Sequence, residues 1–379
     1  MVNLVSNIFC PGPGPGPNQC PALGIKAFMK CGVRSSLIPI LINYFQNRKL
    51  VVKWHGRRSE PQEVPGGGPQ GAYIGNLEYG AQSNNSADCV EKDNRFKFVD
   101  DLTTLEKINL LLVGMSSHNA KNQVPSDINA SNLFIPPEHL KSQTYLQNIQ
   151  KWTDNQKMVL NEEKTKCMVF NFTKKSQFST RLTLNGKTLE TVKEMKLLGT
   201  IFTDNLKWDK NTKFLVKRAY ARMELLRQVS NFTSSIKDKI HIYKTYIRSV
   251  LEQSCIVWNS SITKKNETEL ERVQKVAVSI ITKSTESYSE KLKELNLDTL
   301  KERSNILSAR LAEKCIKIEK TKSIFKENII PYNMKLRKKE KFKIIHANTV
   351  RLKRSAIPNM TKHLNKKHDE NVRIIKNMK

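Results

Sequence analysis

The stretch Arg95-Phe96-Lys97-Phe98-Val99-Asp100-Asp101 decides how the rest of the chain is interpreted. Basic residues alternate with apolar ones, which predicts a strand, and the strand ends in two adjacent acids. Two carboxylates at a strand end offer oxygen ligands to a hard divalent cation and leave positions open for phosphate oxygens. Asp100 and Asp101 are therefore candidate metal ligands and catalytic residues. The alternative is an ordinary turn, because Asp pairs commonly open turns.

A glycine-rich loop, Pro65-Gly66-Gly67-Gly68-Pro69-Gln70-Gly71, precedes this strand. Glycine has no Cβ, so such a loop lets the backbone approach a ligand closely, although the same composition also suits a plain turn. Farther upstream, residues 35–45 predict a short amphipathic helix and residues 49–54 a strand. Residues 1–23 contain a Pro-Gly repeat and almost no charge. We expect them to be a disordered leader without helix or strand.

After the two acids, the pattern predicts further short elements. Residues 145–158 have the spacing of a helix, and residues 167–172 that of a strand. Asn185-Gly186 lies between two short apolar alternations and is a strong signal for a two-residue hairpin turn. Residues 195–202 then predict one more strand.

From residue 210 onward the apolar spacing becomes helical. We expect the third helix to begin at Asn266, which would cap it together with Glu269. The fold class is thus α+β, with a mixed part first and a helical part afterwards. The helices are predicted by three stripes of apolar residues: Leu215, Ala219, Met223 and Leu226; Ile240, Tyr243, Ile247 and Leu251; and Leu270, Val273, Ala277 and Ile280.

The charge of the chain indicates a polyanionic partner. Among 379 residues, 65 Lys and Arg face 35 Asp and Glu, a formal net charge of +30. Phosphate backbones suit such a chain, but an anionic membrane surface or a ribosome would suit it too. The seven scattered cysteines include no Cys-x-x-Cys pair, so neither a disulfide framework nor a zinc site is predicted. No apolar run approaches the length of a membrane span, and we expect an intracellular protein that is not secreted.

The order of these features is similar to that in reverse transcriptases of non-LTR (LINE-type) retrotransposons. The glycine-rich loop and the Phe98-Val99-Asp100-Asp101 box resemble motifs B and C of that family. Residues 152–170 look like its motif D region, and Lys196-Leu197-Leu198-Gly199 resembles its motif E, the primer grip. Three helical segments are also typical of the family: Tyr246-Ile247-Arg248-Ser249, Cys255-Ile256-Val257-Trp258 and Leu270-Glu271-Arg272-Val273-Gln274-Lys275.

This resemblance implies an architecture and a set of partners. It implies part of a right-hand polymerase palm, an antiparallel sheet with helices, over residues 24–208. An all-helical thumb would follow over residues 209–320 and a basic C-terminal segment over residues 321–379. The implied activity is RNA-directed DNA synthesis with Mg²⁺. The implied partners are an RNA template and a DNA primer, or an RNA/DNA duplex, in the nucleus or cytoplasm and away from membranes.

The resemblance also implies roles for individual residues. Asp100 would be the main carboxylate ligand of the metals, with Asp101 supporting it. Lys164 would lie near the triphosphate and could protonate the leaving group. Lys166 is as plausible as Lys164 for this role, judged from its spacing in the sequence. The residues implied to bind substrate are Gly68, Pro69, Gln70 and Gly71 beside the incoming nucleotide and template, and Lys196 and Gly199 on the primer strand.

The sequence departs from the family in one respect that concerns catalysis. Two-metal phosphoryl transfer needs a further carboxylate on a neighbouring strand, which the family supplies upstream of the glycine-rich loop. This chain has no Asp before Asp88. We therefore expect a truncated reverse transcriptase that does not polymerise DNA by itself. The alternative is a noncatalytic basic protein that binds nucleic acid through its helical part and its tail.

Overall fold

A computed structural model of the chain describes residues 2–9, 20–64, 72–98, 101–108, 132–156, 158–171, 177–232, 235–328 and 340–377. The Pro-Gly repeat, the glycine-rich loop with Gly68 to Gly71, and Asp100 lie outside the described residues. The chain divides into two compact units, residues 1–194 and residues 195–379. Helices and mostly antiparallel small sheets are mixed in the chain, which agrees with the predicted α+β class.

The first unit combines short strands with a few helices. Its helices are α1 Cys20–Lys30, α2 Ile38–Phe45, α3 Tyr73–Ser83 and α4 Lys141–Asn155. Its strands are β1 Val2–Phe9, β2 Lys49–Leu50, β3 Lys53–Trp54, β4 Arg57–Arg58, β5 Gln62–Glu63, β6 Arg95–Phe98, β7 Asp101–Glu106, β8 Asn132–Phe134, β9 Val159–Leu160, β10 Lys166–Val169, β11 Gln177–Ser179, β12 Thr183–Leu184, β13 Lys187–Thr188 and β14 Glu190–Thr191.

The largest sheet has the strand order β14-β10-β1-β7-β6, with β9 paired to the end of β1. Strand β1 is antiparallel to both β7 and β10, and β6 and β7 form an antiparallel hairpin. The prediction that residues 1–23 contain no helix or strand is therefore wrong for residues 2–9 and for the start of α1. The physical reason is that Val2, Val5, Ile8 and Phe9 are residues that favour strands, and they all precede the prolines.

One face of this sheet packs on α4. Leu102 of β7 and Cys167 of β10 are buried in a cluster with Leu146 and Ile149 of α4. Glu106, at the end of β7, accepts hydrogen bonds from the backbone N–H groups of Lys141 and Ser142 at 3.0 and 2.9 Å. A carboxylate at these free N–H groups also complements the helix dipole. Strand β7 therefore fixes where α4 begins.

Helices α1, α2 and α3 form a separate small apolar cluster around Ile25, Phe28 and Phe45. Glu78 of α3 is buried against Gly24 of α1, and a Cβ at Gly24 would collide with the Glu78 carboxyl group. The Oε2 atom of Glu78 has no hydrogen-bond partner. Burial raises the pKa of Glu78 to about 7, against a smaller opposing effect of Arg48.

The second unit is mainly helical. Its hairpin strands are β15 Glu194–Leu197, which begins one residue before the unit boundary, and β16 Thr200–Thr203. Its helices are α5 Asp209–Phe232, α6 Ile236–Ile242, a π-helical turn Tyr243–Arg248, α7 Ser249–Leu251, α8 Cys255–Trp258, α9 Lys264–Thr282, α10 Tyr288–Glu294, α11 Leu300–Lys317, α12 Glu319–Lys322, α13 Val350–Arg354 and α14 Ala356–Asn377. None of the helices in the described residues is long and apolar enough to span a bilayer.

The three predicted apolar stripes form the core of this unit. The α5 stripe is buried throughout, and so are Tyr243, Ile247 and Leu251 of the second stripe.

Two details of the prediction are wrong. Helix α9 begins at Lys264 because the Thr263 hydroxyl accepts the Asn266 N–H, while the Asn266 side chain donates to Asp209 at 2.8 Å. Residues 195–202 form a hairpin and not one strand, because Leu198 and Gly199 both have positive φ.

Candidate functional site

Of the two predicted acids, the structure describes Asp101, which begins strand β7 instead of ending the strand before it. Phe98 and Asp101 are the last paired residues of the β6–β7 hairpin, and Asp100 lies outside the described residues. Asp101 is partly buried, whereas the Phe98 side chain is 61% exposed. Directly paired residues of antiparallel strands share one face, so Phe98 and Asp101 lie on the same face of the sheet.

The neighbouring strand carries no carboxylate at the matching position. The residue of β1 that pairs with Asp101 is Asn7. In the part of the chain that the structure describes, no three His, Cys, Asp or Glu side chains come close enough together to hold a metal ion. The described residues therefore do not on their own fit a two-metal site, which needs carboxylates from neighbouring strands.

Lys97, next to the predicted acids in sequence, belongs to the other face of the hairpin. It pairs with Leu102, which is fully buried, and its ammonium group donates to the Ser83 carbonyl oxygen. Burial lowers the pKa of Lys97 to about 8. Its position opposite Leu102 gives it a structural role, in which it ties β6 to the end of α3.

The two candidate lysines differ in their surroundings. Lys166 begins β10 and forms an ion pair with Glu190 of β14. Lys164 is exposed in the turn before β10, and its backbone N–H donates to the Asn161 side chain at 2.9 Å. The structure thus gives Lys166 a carboxylate partner within the sheet and leaves the Lys164 side chain on the surface.

The residues predicted to hold a primer lie on the β15–β16 hairpin. Leu198 and Gly199 form its two-residue turn, with φ values of 46° and 83°. The Gln253 amide donates to the Leu198 carbonyl oxygen at 3.5 Å, and a Cβ at Gly199 would collide with that amide. Gly199 is therefore required for both its backbone conformation and its close approach to Gln253.

The hairpin adjoins a row of cations that are stacked on aromatic rings. The Lys196 ammonium lies 4.9 Å from the Phe214 ring centroid, and the Arg218 guanidinium lies 5.3 Å from the same centroid. One helical turn farther along α5, Arg222 lies 4.6 Å from the Tyr246 ring centroid and donates to the Tyr246 carbonyl oxygen at 2.7 Å. We call these five residues the basic–aromatic face.

Gln253 joins this face to the hairpin turn. Its Oε1 accepts a hydrogen bond from Arg218 at 3.2 Å, while its Nε2 donates to Leu198. Phe214, Arg218 and Arg222 are four residues apart and lie on the same side of α5. Sequence reasoning noted Lys196 and the thumb-like segment at Tyr246 but did not connect them. The spacing of an aromatic residue and two arginines at every fourth position could have indicated the α5 part of the face, but not its contacts with Lys196 and Tyr246.

Comparison with known proteins gives a distant relationship. No family model matches the chain. Over 305 residues it is 23% identical to a Drosophila melanogaster protein described as a probable RNA-directed DNA polymerase from transposon BS. The alignment covers 77% of this chain and 30% of the fly protein. The chain thus spans less than a third of that protein and resembles it at the level of a distant reverse-transcriptase-like relative.

Proposed function

We propose that this chain is a reverse-transcriptase-like protein that holds an RNA template paired with a DNA primer. The basic–aromatic face carries the proposal, because it lies at the Lys196–Gly199 segment that resembles a primer grip. The similarity to a transposon RNA-directed DNA polymerase supports the same reading. In this proposal residues 24–208 are the palm remnant, residues 209–320 are the thumb, and residues 321–379 are the basic segment.

The chemistry of the basic–aromatic face suits a phosphate backbone. A guanidinium that is stacked on a ring keeps its orientation and still presents N–H donors at its edge. Such charge-assisted bonds to phosphate oxygens are stronger than neutral hydrogen bonds. Arg218 is additionally oriented by Gln253. Phosphate contacts of this kind fix the position of a strand without reading its sequence.

We further propose that the chain by itself binds the duplex without extending the primer. The sequence has no Asp before Asp88, and Asn7 stands opposite Asp101 on the neighbouring strand. Asp100 and Asp101 would be metal ligands, and Gly68 to Gly71 would contact the nucleotide and template, only in an assembly that supplies a further carboxylate. Mg²⁺ and the acid role of Lys164 belong to that same proposal.

Removing two cations of the basic–aromatic face tests the binding proposal. We expect the double variant Lys196→Gln, Arg218→Gln to bind a labelled RNA–DNA primer–template less tightly and with a shallower salt dependence. Two lost phosphate contacts lower the slope of log affinity against log salt by about 2. The measurement is fluorescence anisotropy between 50 and 300 mM salt, about the range over which such contacts are screened.

A matched control separates this effect from the loss of net charge. Lys237 and Arg272 are exposed residues of the same unit, and the double variant Lys237→Gln, Arg272→Gln also removes two positive charges. It is expected to keep the wild-type slope within about half a unit, because neither side chain belongs to the basic–aromatic face. Equal losses in the two double variants would overturn the proposed binding face.

A further inference from the structure

The C-terminal helices are fixed to the second unit by a polar clamp and a small apolar core. Residues 326–328 and 341–343 lie side by side, with backbone hydrogen bonds of 2.8 Å from Asn328 to Lys341 and from Lys343 to Lys326. Asn365 of α14 bonds both the N–H and the C=O of Phe342, at 2.8 and 3.0 Å. Helix α14 is thereby held in one position on the unit.

The apolar side of α14 is already covered. Met360 and Leu364 are buried with Phe325, Phe342 and Ala312 of α11. A helix that binds in a membrane interface needs a free apolar face. Within the described residues 356–370, α14 therefore presents mainly its polar and charged side to solvent.

The segment that includes α13 and most of α14 carries a large excess of positive charge. Residues 341–368 contain eight Lys and Arg and no Asp or Glu. Lys366 reaches Glu370 at 3.8 Å and Lys367 reaches Glu313 at 2.5 Å. Lys353, Arg354 and Lys362 form no ion pair with an acid in the part of the chain that the structure describes.

The exposed cations of α13 and α14 meet at one place. The Lys362 ammonium lies 3.5 Å from the carbonyl oxygen of Lys353, and Lys366 is one helical turn beyond Lys362. The surroundings of His363 reflect the same crowding, since burial and then the charges of Lys366 and Lys362 lower its pKa. We call Lys353, Arg354, Lys362 and Lys366 the C-terminal cation patch.

We propose that the C-terminal cation patch binds the phosphate backbone of a nucleic-acid strand, as a second site separate from the basic–aromatic face. Three of the four patch cations have no acid partner among the described residues, and Lys366 has only Glu370 at 3.8 Å. Exposed cations of this kind on a fixed helix pair release counterions from a polyanion when it binds. The patch has no residue in common with the proposed primer–template site. It would therefore bind nucleic acid whether or not the chain takes part in polymerisation.

Charge removal at the patch tests this site in the full chain. The probe is a labelled 20-nucleotide oligo(dT), which offers phosphates and no duplex. The quadruple variant Lys353→Gln, Arg354→Gln, Lys362→Gln, Lys366→Gln is expected to lower the salt slope of binding by about 3 and the affinity at 0.1 M salt by about a hundredfold. All four side chains are exposed, so the fold should be preserved.

The control removes the same charge elsewhere in the second unit. The quadruple variant Lys237→Gln, Arg272→Gln, Lys283→Gln, Lys293→Gln changes three lysines and one arginine, all of them exposed. Wild-type oligo(dT) affinity in the patch variant, or equal losses in patch and control variants, would overturn the proposal. So would binding of the wild-type chain to phosphatidylserine vesicles but not to oligo(dT). A failure of the Lys196 and Arg218 experiment would leave this test unaffected.

Discussion

Replacing Glu78 with glutamine is expected to stabilise the α1–α3 helices by about 3 kcal/mol at pH 8.5 and by less than about 1 kcal/mol at pH 5. The carboxyl group is buried, and its Oε2 atom has no hydrogen-bond partner. Its pKa is about 7 in the folded chain against an ordinary value of 4.5. The folded state therefore holds the proton more tightly than the unfolded state. Stability is retained below the ordinary pKa and is lost as the pH rises through 7.

Hydrogen exchange of the backbone amides in α1 and α3, corrected for the intrinsic effect of pH, measures this change. Glu60 provides the matched control, since it is exposed in the same unit and Glu60→Gln removes the same charge. Glu60→Gln should have the same stability as the wild type at both pH values, as measured by hydrogen exchange in α1 and α3. If the difference in stability between Glu78→Gln and the wild type is the same at pH 5 and at pH 8.5, ionisation of the buried carboxyl group does not destabilise these helices.

Replacing Gln274 with leucine is expected to destabilise the second unit by about 3–5 kcal/mol. Gln274 is fully buried and connects three helical segments. Its Oε1 accepts the Tyr243 hydroxyl, and its Nε2 donates to the Tyr288 hydroxyl at 2.9 Å and to the Asp298 carbonyl oxygen at 3.0 Å. Leucine fills similar space but leaves the buried Tyr243 hydroxyl and the Asp298 carbonyl oxygen without their bonds to this side chain, while Tyr288 keeps its bond to Glu271.

The free energy of unfolding in urea measures what this network contributes. It is compared among the wild type, Gln274→Leu, Tyr243→Phe and the double variant. Removing both partners of a buried bond costs less than removing one, so the double variant should be more stable than the sum of the single losses predicts. A loss below about 0.5 kcal/mol in Gln274→Leu, the range of ordinary surface substitutions, would contradict the account.

Local signals in the sequence predicted much of the fold. Asn185-Gly186 forms the expected hairpin turn, with φ values of 51° and 77°, because few residue pairs adopt that backbone so readily. The α5 stripe is buried as predicted, since its spacing leaves one side for the core. Strand β1 was missed because its pairing with β7 and β10 depends on residues 94 to 167 positions away, which composition does not reveal.

The candidate site was predicted only in part. The strand before the acids was predicted and forms β6, but Asp101 begins the next strand, β7, instead of ending the predicted one. The basic–aromatic face could not be predicted from one segment, because it joins a hairpin residue, two turns of α5 and the π-helical turn. Gln253 was missed for the same reason. Its two hydrogen bonds connect segments that lie 35 and 55 residues away in the sequence.

The chain is proposed to hold an RNA–DNA primer–template without extending it. One reaction tests this claim, with a labelled primer on an RNA template, Mg²⁺ and all four deoxynucleotides, analysed on native and denaturing gels. We predict a retarded complex on the native gel and an unchanged primer length on the denaturing gel. Absence of a complex, or primer extension that requires Mg²⁺ and is abolished by Asp100→Asn, would contradict the claim.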